Sequence, residues 1–368
     1  MSLKAGIVGL PNVGKSTLFN AITKSGALAA NYPFATIEPN VGVAIVNDDR
    51  LKRLTEIYNP KKTVPTAFEF TDIAGLVKGA SNGEGLGNKF LSHIREVDAI
   101  VEVVRCFENN EITHVEGKID PVRDIEIINT ELILSDLEIV ENRISKIEKK
   151  AETTKDKQAL IELSALRKSQ KALLEGICLR TLDYTEDEME AIQGFNFITF
   201  KKVIYAANVN EEDAASGTNK YVEQVKEYAS KEKSEVIVMC ASLESELSGL
   251  SDEEKELFMN DLGLKQSGLS QLIKATYKLL GLETFFTAGA DECRAWTYKK
   301  GMKAPECAGI IHTDFQKGFI KAEVMSYSDL EKYGTEKAVQ EAGKLRLEGK
   351  DYIMQDGDIC YFRFNVTK

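Results

Sequence analysis

The sequence has little of what a metal cage or a disulfide framework needs. Its 6 cysteines (Cys106, Cys178, Cys240, Cys293, Cys307 and Cys360) lie far apart with no C-x-x-C pair, and it has only 3 histidines. Neither a zinc site nor a set of disulfides is indicated, and the reduced thiols of a cytoplasmic protein are expected. No apolar run approaches the roughly 20 residues that cross a bilayer, so a membrane partner is not expected. Met1-Ser2-Leu3-Lys4 runs straight into an apolar stretch, leaving no room for a charged and cleavable leader. Basic residues are also short: 47 Lys and Arg against 58 Asp and Glu give a net charge of -11. Neutralising phosphates takes an excess of cations, which excludes a chain that coats nucleic acid non-specifically and leaves room only for a local basic face.

What is there is enough chain for two or three domains, 368 residues at 43% hydrophobic. Short apolar runs at Ala5-Gly6-Ile7-Val8, Ala67-Phe68-Glu69-Phe70, residues 99–104, 203–207 and 236–239 alternate with helical patterns at 15–23, 88–95, 220–230 and 269–280. Buried strands separated by helices predict an α/β fold with a mostly parallel sheet. Between the third and fourth runs the chain turns charged and helix-forming. Ile133, Leu137, Val140, Ile144 and Ile147 recur at spacings of four and three, and Leu160, Leu163, Leu166, Leu173, Leu174 and Ile177 make a second stripe beyond a charged link at 149–157. This predicts an inserted antiparallel helical hairpin of coiled-coil type. After Gly281, β-rich pieces such as residues 294–298 and 360–364, with one helical segment near 326–333, predict a small α+β domain. The expected boundaries are therefore 1–124 with 201–282 for the sheet domain, 125–200 for the hairpin and 283–368 for the last domain.

The chemistry is written at Gly9-Leu10-Pro11-Asn12-Val13-Gly14-Lys15-Ser16. This G-x-x-x-x-G-K-[ST] motif follows an apolar strand and opens a helix whose Leu18, Phe19 and Ile22 can face the sheet, the context that confirms a P-loop. Backbone N–H groups from Asn12 to Thr17 are expected to close around nucleotide phosphates, Lys15 to reach the β- and γ-phosphates, and Ser16 to offer its hydroxyl to Mg2+. Asp72-Ile73-Ala74-Gly75 follows a strand: Asp72 is the candidate to hold magnesium, and the Gly75 N–H can meet the γ-phosphate. Thr36 lies where a switch threonine would close over the metal. The segment from Gly79 to Gly87 reads as a gating loop.

The residues from Gly9 to Ser16, the run Tyr32 to Asn40, Asp72 to Gly79, Asn208-Val209-Asn210-Glu211, the helical insertion and the C-terminal segment together resemble the YchF/Obg-like ATPase family of translation-factor-class P-loop proteins. The resemblance runs from end to end. It implies a P-loop GTPase-like α/β domain with a coiled-coil insertion and a TGS-like C-terminal domain, hydrolysis of ATP in preference to GTP, and association with ribosomes. An RNA contact through the coiled coil and the TGS-like domain is a further expectation, with Lys299, Lys300 and Lys303 near Trp296 and Tyr298 as a candidate patch.

Base choice can be argued from residues. Guanine-specific relatives carry N-K-x-D, whose Asp accepts two bonds from the guanine edge. Here Glu211 is a methylene too long for that fit and Val209 replaces the flanking lysine, so guanine specificity should be lost. The Asn208 side chain or the backbone near Val209 could meet adenine, and Ser242, after the last strand, could pack on the base. Leu76 stands where many GTPases place a water-orienting Gln, which predicts slow intrinsic turnover. His114 is the candidate to take over that role, and Arg95 and Arg105 are candidate cations. A scaffold in which hydrolysis has no role, or a GTPase in which Glu211 imitates Asp, remain open alternatives.

Overall fold

The computed structural model describes residues 3–27, 40–73, 86–109 and 111–365. They fall into two compact units. One comprises Met1–Val43 with Glu69–Thr276, the other Ala44–Phe68 with Tyr277–Lys368.

The first unit is built on a six-stranded sheet. Along the chain come β1 (Lys4–Val8), α1 (Lys15–Ala27), β2 (Val41–Val46), α2 (Asp49–Tyr58), β3 (Lys62–Val64), β4 (Thr66–Asp72), α3 (Leu86–Glu96) and β5 (Ala99–Arg105). After the helical insertion follow β6 (Lys202–Asn208), α7 (Glu211–Ser216), α8 (Lys220–Glu232), β7 (Glu235–Met239), α9 (Ala241–Leu247), α10 (Asp252–Asp261) and α11 (Gly268–Leu279). The strand order is β2-β4-β1-β5-β6-β7, and β1 pairs in parallel with β4 and β5, as β6 does with β5 and β7. Each residue of β5 is buried, as expected of a central parallel strand covered on both faces. The five strand regions expected from the sequence are present; β2, at the sheet edge with alternating burial, was not anticipated. Glycine is required where β1 meets its neighbours: a Cβ on Gly6 would lie 2.5 Å from Ile73 Cδ1, and one on Gly9 2.9 Å from the Val103 carbonyl oxygen.

The insertion is the expected hairpin, α4 (Pro121–Thr154) and α5 (Lys157–Leu174), followed by the short α6 (Glu186–Ile192). Asp120 caps α4, Pro121 opens it, and Asp156 caps α5. The link is tighter than the sequence suggested: α4 runs on to Thr154 and the chain turns through Lys155, which takes a left-handed conformation. Ile133, Val140, Ile144 and Ile147 of α4 bury against Leu163, Leu166 and Leu173, while Leu160, Leu174 and Ile177 of the expected second stripe are exposed. Small residues (Ala165, Ser169, Ala172) fill the seam in their place.

The second unit holds β8 (Leu282–Thr287), β9 (Glu292–Lys299), α12 (Ala304–Ile311), α13 (Thr313–Lys317), β10 (Phe319–Ser326), α14 (Tyr327–Tyr333), α15 (Glu336–Glu341), β11 (Arg346–Glu348) and β12 (Asp358–Phe364), with sheet order β11-β10-β12-β8-β9-β3. Here the expected boundaries need correction. Strand β3 pairs in parallel with β9, and Leu51 and Leu54 of α2 pack with Phe286, Ala295 and Ile359, so residues 44–68 join the C-terminal unit and not the nucleotide-binding domain. Successive residues point to opposite faces of a strand: Phe285 belongs to the core under α12, Phe286 to the core under α2. The hairpin lies inside the first unit.

Candidate functional site

The P-loop joins the end of β1 to the start of α1. Asn12 and Gly14 both have positive φ, 63° and 97°, which turns the loop back on itself as a phosphate-binding turn requires. Only glycine fits at 14: a Cβ there would lie 2.2 Å from Asn208 Nδ2. Lys15, at the first position of α1, forms an ion pair with the Asp72 carboxylate at the end of β4. Asp72 is held by its backbone, whose N–H donates to the Asn40 carbonyl at 2.8 Å. Ser16 is exposed on the first turn of α1. The structure thus brings Lys15 and Asp72 together, with Ser16 next along the helix from Lys15. Thr36, Gly75, Leu76 and nearly all of the glycine-rich 79–87 segment lie outside the described residues.

Asn208 is the fastener of this region. Its Nδ2 donates to the Val13 carbonyl at 2.8 Å and its Oδ1 accepts from the Ala241 N–H at 2.9 Å, so the P-loop, the end of β6 and the start of α9 are tied by one buried amide. One donor and one acceptor position of the amide are thus given to backbone, and the expected reading of the base falls to its second N–H and second lone pair. Val209 is buried, with its N–H on the Met239 carbonyl at 2.9 Å. Glu211 is exposed on the first turn of α7, which Asn210 caps. Ser242 is exposed, its hydroxyl 3.1 Å from the Cys240 sulfur.

The loop after β5 forms another wall. Asn12 Nδ2 donates to the Thr113 carbonyl at 3.1 Å, tying P-loop to loop. Arg105 is buried and gives its guanidinium to the carbonyls of Phe107, Asn109 and Ile112. It therefore shapes the loop, its guanidinium N–H groups held by these carbonyls. Arg95 is likewise held, by Ser135 Oγ and the Asn196 carbonyl. His114 was expected on a polar surface loop; its side chain is only 2% exposed. Its Nδ1 accepts from the Glu116 N–H at 3.1 Å, which leaves the proton on Nε2, and Nε2 donates to Asp124 Oδ2 at 2.8 Å. Arg123 holds the other oxygen of Asp124 at 2.9 Å. As folded, His114 presents no nitrogen to a water, because the Glu116 N–H and the Asp124 carboxylate of α4 take both. Sequence reasoning missed Asp124; the signal for it was an acidic residue in the first turn of a helix opened by Asp120-Pro121.

In the C-terminal unit, Tyr298 is buried and donates to Glu283, while Arg294 stacks over Trp296 at 4.1 Å and Lys303 pairs with Asp351. Lys299, Lys300 and Lys303 are exposed, whereas Tyr298 is buried.

With this geometry in hand, residues 4–143 match the family described as "50S ribosome-binding GTPase" and residues 282–365 the YchF-GTPase C-terminal family, described as "Protein of unknown function (DUF933)". A relative from Bacillus subtilis (strain 168), named Ribosome-binding ATPase YchF, is 59% identical over 100% of both chains. The chain belongs to the YchF family. A relative of the same name from Escherichia coli O157:H7 is 54% identical, again over 100% of both chains. The solved structure of the Schizosaccharomyces pombe YchF GTPase is 44% identical with a TM-score of 0.89, over 98% of each chain. A GTP binding protein from Pyrococcus horikoshii OT3, at 21% identity and TM-score 0.60, shares the fold. The YchF relatives match from one end of this chain to the other, hairpin and C-terminal unit included.

Proposed function

We propose that this YchF-family chain hydrolyses ATP in preference to GTP, slowly and with Mg2+, and works as a nucleotide-dependent switch on the ribosome in the cytoplasm. The observation that carries it is the meeting of Lys15 and Asp72 under a P-loop whose Gly14 is locked against Asn208. The names of full-length relatives, ribosome-binding ATPases, supply the nucleotide and the partner. The donor set fits magnesium: a hydroxyl from Ser16 and a carboxylate from Asp72 are the hard oxygens that this ion takes, with Thr36 as a further donor. Magnesium, when bound, offsets the charge of the β- and γ-phosphates.

The chain's own residues do the rest. The backbone from Asn12 to Thr17 cradles the phosphates, Lys15 exchanges Asp72 for phosphate oxygen, and the Gly75 N–H reports the γ-phosphate to the segment after it. Val209, Glu211 and Ser242 line the base end, where an exposed Glu in place of Asp removes the bidentate guanine contact. His114 orients the attacking water after it has left Asp124.

Titration of ATP and GTP against the full chain is the direct test, with turnover measured with and without ribosomes. Tighter ATP binding and ribosome-stimulated turnover are expected. Equal or tighter GTP binding would overturn the base assignment and favour the GTPase reading that the name of the Schizosaccharomyces pombe relative carries. Lys15→Ala should weaken ATP binding about 10–100-fold, the worth of a charge-assisted hydrogen bond of ~1.5–3 kcal/mol.

A further inference from the structure

The contact between His114 and α4 runs opposite to what a catalytic histidine needs. In a working acid–base pair, the acid holds one ring nitrogen and leaves the other facing the reacting atom. Here the nitrogen without a proton is capped by the backbone of Glu116, two residues on, and the protonated one is given to Asp124. Both groups are buried, with side chains 2% and 4% exposed. Asp124 is itself held in place by Arg123, whose guanidinium also reaches the Lys118 carbonyl at 2.7 Å. The loop is simultaneously tied to the P-loop through Asn12 and Thr113. One short loop thus touches the phosphate-binding turn on one side and the first turn of a 34-residue helix on the other.

We infer that Asp124 is a latch. It sequesters His114 so that the free protein hydrolyses slowly, and a small shift of α4, driven by a partner seated on the hairpin, releases the imidazole to the water. A helix displacement of about 1–2 Å, the usual scale of such shifts, breaks a 2.8 Å bond of this kind. The inference rests on the reading that His114 acts in hydrolysis, and it makes Asp124 a positioning residue that restrains turnover. In this arrangement α4 is a lever whose short arm is the Asp124 carboxylate and whose long arm is the hairpin.

The test is steady-state ATP hydrolysis by the full-length chain carrying Asp124→Ala, Asp124→Asn, His114→Ala, or His114→Ala with Asp124→Ala, each with and without ribosomes. Release of the latch predicts a rise in ribosome-free kcat of about fivefold or more, within the usual range of coupling between sites, with KM for ATP little changed. Ribosome stimulation should shrink by the same factor. Asp124→Asn keeps an acceptor oxygen and should lie between, and it carries the test if the alanine variant does not fold. The double variant should match His114→Ala alone, because the acid acts only through the imidazole. A readout independent of turnover comes from nitrogen NMR: with 3 histidines in the chain, the His114 Nε2–H should be seen as an exchange-protected proton that Asp124→Ala loses. Unchanged or lower kcat in both Asp124 variants sinks the latch while leaving the His114 role standing, provided His114→Ala is impaired. Wild-type turnover in His114→Ala sinks both.

Discussion

At the scale of single residues, the P-loop was legible because its chemistry is local: eight consecutive positions specify glycine turns, a lysine and a hydroxyl. Asn208 was legible only in part. Its place after β6 marked it as a base-end residue, but its actual bonds reach Val13, 195 positions earlier, and Ala241, 33 positions later, and no periodicity reveals such a tie. Its role predicts a specific phenotype. Asn208→Ala leaves a buried carbonyl and a buried N–H without partners, each costing ~1–3 kcal/mol, and loosens the P-loop itself. Affinity for ATP and GTP should therefore fall together, with their ratio unchanged in competition titrations; a changed ratio would show that Asn208 also reads the base. Glu102 makes a second prediction at this scale. Burial beside Glu232 raises its pKa well above the ordinary carboxylate value, although Arg180 pulls the other way. The folded state therefore holds a proton that the unfolded state has released once the pH passes the ordinary carboxylate range. Stability must then fall as pH rises from that range through the raised pKa, with a slope of at most ~1.4 kcal/mol per pH unit for one proton. Glu102→Gln should flatten that slope in urea melts compared between pH 5 and pH 8.

At the scale of elements, strands and helices with one strong period were read correctly, and those whose identity depends on a distant partner were not. The hairpin seam on α4 follows its heptad-like spacing, whereas α5 buries small residues that carry no hydrophobic signal, so its stripe was assigned to leucines that face solvent. The base of the hairpin is fixed by a group the pattern could not show. Asp136 is fully buried and accepts from the N–H groups of Ile198 and Thr199 and from the Thr199 hydroxyl, at 3.1, 2.8 and 2.6 Å. This carboxylate pins α4 to the turn that leads into β6. Asp136→Ala strands two buried N–H groups and should cost about 2–4 kcal/mol in urea unfolding, a loss concentrated in the hairpin and visible as faster amide exchange at 198–199. Asp136→Asn, which can still accept one bond, should lose less. The same element connects to function: a hairpin whose base is rigid can transmit a displacement to Asp124, and a loosened one cannot, so Asp136→Ala should also blunt ribosome stimulation of hydrolysis.

At the scale of the whole molecule, the chain does not divide where composition changes. Helix α2 and strand β3 sit in sequence between β2 and β4 of the first sheet, and the expected boundaries placed them with that sheet. Their burial decides otherwise. Helix α2 is short and charged, with Leu51 and Leu54 as its buried residues, and alone it covers too little apolar surface to stand. Those leucines pack on β8, β9 and β12 of the second unit, and Arg50 bridges Asp48 and Asp356 at 2.7 Å each. The C-terminal unit is therefore completed by a segment that precedes it by more than two hundred residues, so its folding waits on a long-range contact that closes a large loop. The single tryptophan, Trp296, lies on β9 and donates to Thr287 at 2.9 Å, which gives the second unit its own fluorescence signal. Leu54→Ala removes a fully buried side chain from the α2 face of that sheet and should lower the stability read by Trp296 by about 2–5 kcal/mol, the usual cost of such a truncation. If residues 44–68 belonged to the nucleotide-binding domain, the Trp296 transition would stay where it is and the loss would appear in nucleotide-protected unfolding of the first unit instead.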